Sequence, residues 1–160
     1  MSPLARLAVL VLPLAGLAGA WGWTHARAQQ GTEWDVPVSA SGPRASLRGR
    51  YLAFRYDWGL PPGAAIAGAQ ALCLEGAPPH PASVRIVEPG EADRPCRHVA
   101  REVEGGGRHA GLQGGLLYIP QDDVPAMRAK LADPKLRPVV RVRINDAGAI
   151  TPLSISFRPR

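Results

Sequence analysis

Residues 139–157 read VVRVRINDAGAITPLSISF, and their alternation decides the fold class. Val140, Val142 and Ile144 alternate with Arg141 and Arg143. After Asn145-Asp146-Ala147-Gly148, Leu153, Ile155 and Phe157 alternate with Ser154 and Ser156. A period of two with a polar turn predicts an antiparallel hairpin, apolar on one face and polar on the other. Pro152 lacks a backbone donor and marks an edge or a bulge near the start of the return strand. Val140, Val142, Leu153 and Ile155 are expected in the core.

The same alternation recurs upstream. Tyr51 to Trp58 places Leu52, Phe54, Tyr56 and Trp58 on one face, and Tyr51, Ala53, Arg55 and Asp57 on the other. Glu33 to Val38 reads as a strand with Trp34, Val36 and Val38 on one face, and 39–46 as a loop. Ala69 to Glu75 and Ser83 to Glu88 read as strands about a Pro78-Pro79-His80-Pro81 turn. Arg97 to Glu104 and Gly115 to Ile119 are shorter strands, the last stopped by Pro120. One helix interrupts them, Asp122 to Ala132. Asp122 or Asp123 is placed to cap it, Pro125 suits its first turn, and Val124, Met127 and Leu131 form its apolar stripe. The expected fold is therefore mainly β (α+β): a small antiparallel sheet or sandwich-like domain with one short helix.

Ahead of this domain, Arg6 precedes the apolar run Leu7 to Trp23, and no acid occurs before Glu33. A positive start before an apolar stretch directs a segment into a membrane with its N-terminus inside. Residues 1–28 are thus expected to be a hydrophobic anchor or signal segment, and 29–160 a single exported β-rich domain. Leu4 to Trp23 is long enough to span the lipid bilayer, with Trp21 and Trp23 at the headgroup level. That favours a single-pass helix in the cytoplasmic membrane with the C-terminal domain on the periplasmic side. The alternative is a secreted periplasmic protein, cut after Ala28 at Ala26-Arg27-Ala28.

The 160 residues carry a net charge of +6. Of 19 Lys+Arg, only Arg6 and Arg27 lie in 1–30, so the rest holds 17 basic against 13 acidic residues. That charge is scattered, without a basic run interleaved with aromatics, and no nucleic acid partner is expected. Cys73 and Cys96 are the only cysteines. An even count in an exported domain favours a disulfide; two separate thiols are the alternative. Cys96, His98 and His109, with His80 as a distant fourth, fit zinc spacing poorly, so no metal and no cofactor is expected. No G-x-S-x-G is present, and Ser46, Ser154 and Ser156 lack a local base. Asp122-Asp123 reads as a helix start rather than an acid pair, and Gly105-Gly106-Gly107 precedes neither a helix nor Lys-Ser/Thr. No catalytic residues are assigned.

Gly49 to Tyr56 reads GRYLAFRY and resembles the motif of the GDYXXLXY family, a group of small bacterial membrane-anchored or exported proteins. Gly49, Tyr51, Phe54 and Tyr56 carry the resemblance. A second segment, Tyr118-Ile119-Pro120-Gln121, is similar to the family's Tyr-x-x-Pro-Glu-like stretch, with Tyr118, Pro120 and Gln121 the matching positions. Arg50 stands where the motif has Asp, Phe54 where it has Leu, and Gln121 where Glu is usual. The resemblance implies an envelope location and a role beside a polytopic membrane partner, and it brings no biochemical activity with it. The leading expectation is an accessory or binding protein that is not an enzyme. The alternatives are an envelope hydrolase, and a soluble periplasmic binder using Tyr51, Tyr56, Trp58 and Tyr118 to line a groove.

Overall fold

The computed structural model describes residues 3–40, 44–46, 49–60, 66, 71–87, 95–102 and 111–160, with backbone alone for 3–10, 27–28, 44–46 and 49–50. The chain divides into two compact units, Met1–Gln30 and Gly31–Arg160. The first is one helix, α1 (Pro3–Gln29), with Pro13 inside it. Trp21 stacks on His25 one turn along, at 5.2 Å between ring centroids. Among the described residues no helix is long and apolar enough to cross a membrane. The side chains of 4–10, which open the apolar run, and of Arg27 and Ala28, at the expected cleavage point, lie outside that description.

The second unit is mainly β. Strands β1 (Thr32–Ala40), β2 (Arg44–Ser46), β3 (Gly49–Tyr56), β7 (Gly114–Tyr118), β8 (Leu136–Ile144) and β9 (Ile150–Pro159) form one antiparallel sheet. Its order is β2-β3-β1-β8-β9, with β7 also on β3. Phe54 pairs with both Ala40 and Gly115, and Tyr51 with both Arg44 and Tyr118. Strands β1 and β2 therefore share one edge of β3, and β7 takes the other. Strands β4 (Ala71–Ala77), β5 (His80–Val87) and β6 (His98–Arg101) form a second sheet, in the order β5-β4-β6. A 3₁₀ turn (Gln121–Asp123) leads into helix α2 (Val124–Ala132).

Both sheets feed one core. Trp34, Val36 and Val38 of β1, Phe54, Tyr56 and Trp58, and Val140, Val142 and Ile144 of β8 meet Leu72 and Leu74 of β4 and Ala100 of β6. The period-two pattern of each strand is the cause: alternate side chains share a face, and burying that face removes it from water. The aromatic face of β3 packs as a ladder, Phe54 on Tyr56 at 5.3 Å and Tyr56 on Trp58 at 4.9 Å. The Trp58 indole donates to the Leu112 carbonyl at 2.7 Å. The Phe54 ring lies over Gly115, where an added Cβ would come within 2.7 Å of it. Cys73 and Cys96 are disulfide-bonded, with Cα atoms 5.8 Å apart. A loop of this length is stabilised by roughly 3 kcal/mol in the chain-entropy account.

Several sequence expectations need correction. His80 and Pro81 belong to β5, so the β4–β5 turn is Pro78-Pro79 alone. The expected loop at 39–46 holds the end of β1 and all of β2, while 41–43 lie outside the described residues. The strand expected from Arg97 to Glu104 is His98–Arg101. The triple glycine 105–107 and His109 also fall outside the description. Neither Asp122 nor Asp123 caps α2 through its side chain, because the 3₁₀ turn shifts the helix start to Val124. Leu153 and Ile155 are only partly buried. They follow Pro152 on the edge strand, where the register slips between Arg141 and Val142, and the slip leaves the strand short of a flush fit.

Phe54→Ala should destabilise the domain by about 3–5 kcal/mol, since the removed ring is buried between two strands and leaves a cavity. Ser156→Ala, on an exposed edge position, should shift stability by less than about 0.5 kcal/mol. Urea unfolding of the two variants beside the parent checks both. An unchanged midpoint for Phe54→Ala would contradict this core.

Candidate functional site

Strands β7 and β9 are open flanks of the large sheet. Among the described residues β7 pairs only with β3, and β9 only with β8. They approach each other: a Cβ placed on Gly115 would lie 3.1 Å from Pro152 Cγ. They do not hydrogen-bond, and helix α2 lies beneath the gap. Leu52, Ile119 and Val124 form a second buried cluster there, with Met127, Leu131 and Ile155 packed against it. Above this floor runs a groove of about 350 Å³, lined by 117–120 and by Asp123, Ala126, Met127, Lys130, Leu153, Ser154 and Ile155. Its walls are apolar and its polar groups few, the character of a binding cleft.

At the lip of the groove the segments 49–56 and 118–121 meet. Tyr51 and Tyr118 are register partners, and their rings pack edge to face at 5.8 Å. Both are exposed, at 41% and 62%, and Leu116, two residues back on the same face, is 46% exposed. Pro120 lies exposed in the groove wall, and Gln121 opens the 3₁₀ turn, also exposed. Gly49 opens β3 opposite Ser46, and the Arg50 side chain is outside the described residues. Phe54 and Tyr56 point the other way, into the core, and burial pushes the Tyr56 phenol pKa up. The structure thus splits the motif: Tyr51 joins Tyr118 outside, while Phe54, Tyr56 and Trp58 build the interior. The four-residue aromatic cleft of Tyr51, Tyr56, Trp58 and Tyr118 does not form, because odd and even positions of one strand face opposite ways.

Among the described residues, those considered for chemistry do not converge. Ser154 and Lys130 line the same groove, but no hydrogen bond joins them, and Lys130 Nζ instead sits 5.8 Å from the centre of the Phe157 ring. Ser156 is exposed and donates to the Val139 carbonyl. Cys96 is occupied by its bond to Cys73. Among the described residues no group of three His, Cys, Asp or Glu comes together as a metal site.

A charged cluster lies elsewhere, on the face of β1 opposite Trp34. Asp35 is buried, and its amide donates to the Pro79 carbonyl at 2.7 Å. Arg141, its register partner on β8, donates through Nε at 2.8 Å and Nη2 at 3.3 Å. Arg158 of β9 reaches across β8 to the second carboxylate oxygen, and His80 Nδ1 stands 3.9 Å from that oxygen. The Arg141 hydrogen bonds hold the Asp35 carboxyl below the usual range. Burial opposes this, and the charges of Arg141, Arg158 and His80 add to it. Sequence alternation flagged Arg141 as outward. It missed the burial of Asp35, whose three partners lie 45 to 123 residues away in the chain.

A carboxyl with a depressed folded-state pKa contributes stability that is complete above the unfolded value of 3.8 and is lost as pH falls through the folded value. Asp35→Asn should therefore cost about 2 kcal/mol at pH 7, in the range of hydrogen bonds to charged groups. Its deficit against the parent should shrink below pH 3.8. Urea unfolding at both pH values checks this, and a deficit that does not depend on pH would refute it. Compared with known proteins, the chain matches no family model, no curated protein and no solved structure.

Proposed function

We propose that this chain is an accessory protein of the cell envelope, with no enzymatic role. Its N-terminal helix anchors it in the cytoplasmic membrane, and its β domain, on the periplasmic side, engages a polytopic membrane protein through the β7–β9 groove and its tyrosine lip. The observation that carries this reading is the exposed apolar row of Tyr51 on β3 and Leu116 and Tyr118 on the flanking strand β7. Apolar side chains contiguous at a sheet flank mark interaction surfaces, because leaving them in water is unfavourable. An unpaired strand flank beside such a row also suits an extended segment, whose main chain would pair with it while its side chains enter the groove. The apolar run from Leu4 to Trp23, its positive start and its tryptophans support the anchor. The similarity of Gly49–Tyr56 and of Tyr118–Gln121 to the GDYXXLXY family supports the envelope location and the membrane partner.

The test is photo-crosslinking in cells. A photoreactive phenylalanine analogue at Tyr118 should give a discrete adduct in the membrane fraction, and the same probe at the exposed turn residue Asp146 should not. Equal adducts at both positions, or none at Tyr118, would overturn the surface. Tyr118→Asp should abolish co-purification of that partner and cost no more than about 1 kcal/mol of stability, the loss of its cross-strand ring pair with Tyr51. The anchor is tested separately. The native protein should retain its first 28 residues, and N-terminal sequencing that starts at Gln29 would refute attachment.

A further inference from the structure

The outer face of β1, β8 and β9 carries acids and arginines in unequal arrangement. Arg143 pairs with Glu33 at 2.6 Å, and Arg137 with Asp57 at 2.9 Å. Asp35 is different, because Arg141 and Arg158 share its single carboxylate. One guanidinium charge is in excess there, and His80 adds another whenever it is protonated. The carboxylate side chain is 3% exposed, while the arginine side chains are 45% and 46% exposed. The anion is therefore inside and the cations outside. Each guanidinium has five N–H donors. Arg141 spends one from Nε and one from Nη2 on Asp35, and Arg158 spends one from Nη2, so most of their donors remain for another acceptor.

We propose that Arg141, Arg158 and His80 form a binding site for a phosphate group, held open by Asp35. Planar guanidinium forks match the oxygens of a phosphate and bind it by paired, charge-assisted hydrogen bonds. The buried carboxylate holds Arg141 through two bonds and Arg158 through one, so less side-chain freedom is lost when an anion docks. Asp35 weakens the attraction by its own charge, but it is screened behind the two cations that it positions. The excess charge is what a one-to-one ion pair such as Arg137–Asp57 does not leave over. The phosphate can be free in solution or can belong to a phospholipid headgroup, since both present the same oxygens. This site is separate from the β7–β9 groove and does not rest on the partner proposed for it.

The test uses the full chain in a non-ionic detergent, titrated calorimetrically with inorganic phosphate and, separately, with dihexanoyl phosphatidylglycerol below its micelle concentration. Arg158→Gln removes the excess charge and leaves Asp35 its two bonds from Arg141, so the fold should persist, as circular dichroism would verify. Arg128→Gln removes the same charge from α2, which packs on Ile155 and so lies on the opposite face of β9 from Arg158. Arg158→Gln should weaken phosphate binding at least tenfold, whereas Arg128→Gln should change it by less than about twofold, the small effect of a remote, solvent-screened charge. Arg158→Lys keeps the charge without the fork, should fold if Arg158→Gln does not, and should bind between the parent and Arg158→Gln. Binding of both probes assigns a headgroup, and binding of inorganic phosphate alone assigns the free ion. No binding of either probe to the parent, or equal losses in Arg158→Gln and Arg128→Gln, would overturn the site.

Discussion

Strand β1 carries buried side chains on both of its faces, Trp34 on one and Asp35 on the other, and the rest of the domain depends on how each is satisfied. Trp34, fully buried, meets the second sheet, where His98 of β6 packs against its ring edge to face at 5.2 Å. Its indole N–H has no acceptor among the described residues, so Trp34 holds the core by apolar area, against the cost of an unpaired donor. Asp35 faces the other way and requires countercharge, because a buried carboxylate without partners is far costlier than an exposed one. Arg141 and Arg158 supply it from β8 and β9. One dipeptide thus ties the first sheet to the second and the centre of the first sheet to its flank.

The backbone repeats this double attachment. The Asp35 amide is met by the Pro79 carbonyl at the tip of the β4–β5 turn, and the Arg101 amide donates to the Gly148 carbonyl at 2.8 Å, tying β6 to the β8–β9 turn. Gly148 takes a positive φ of 87°, which a side chain would resist, and the Asn145 side chain accepts from the next amide, of Ala149. The smaller sheet is therefore fixed to the larger at both ends. Across its middle, the disulfide holds Cys73 of the central strand β4 to the segment entering β6.

The open flanks follow from chemistry in the same strands. Pro152 cannot donate a ladder hydrogen bond, and the register slip beside it turns β9 out of a regular edge. Pro120 ends β7 and starts the 3₁₀ turn that brings α2 under the gap. Closing the gap would need regular donors from both strands; the helix fills its floor instead and leaves the mouth to solvent. The groove is thus a consequence of how the sheet stops, and its aromatic lip of how β3 and β7 align.

The sequence by itself determined the strands other than β2, their inward faces and the closing hairpin, because alternation at period two is local and needs no partner to be read. Leu52, Phe54, Val140 and Val142 are buried as their spacing required. The apolar stripe of α2, with Val124 buried and Met127 and Leu131 packed on the same cluster, was legible for the same reason. Two cysteines in a domain read as exported also pointed to their own pairing. Only the tertiary structure decided that Tyr51 would meet Tyr118, because strand pairing across 67 residues depends on register. It likewise decided that Asp35 would be buried beneath two arginines and that Leu153 and Ile155 would be left half-covered. Each of these depends on what lies across a strand rather than along it, and alternation records which face a side chain takes but not what covers that face.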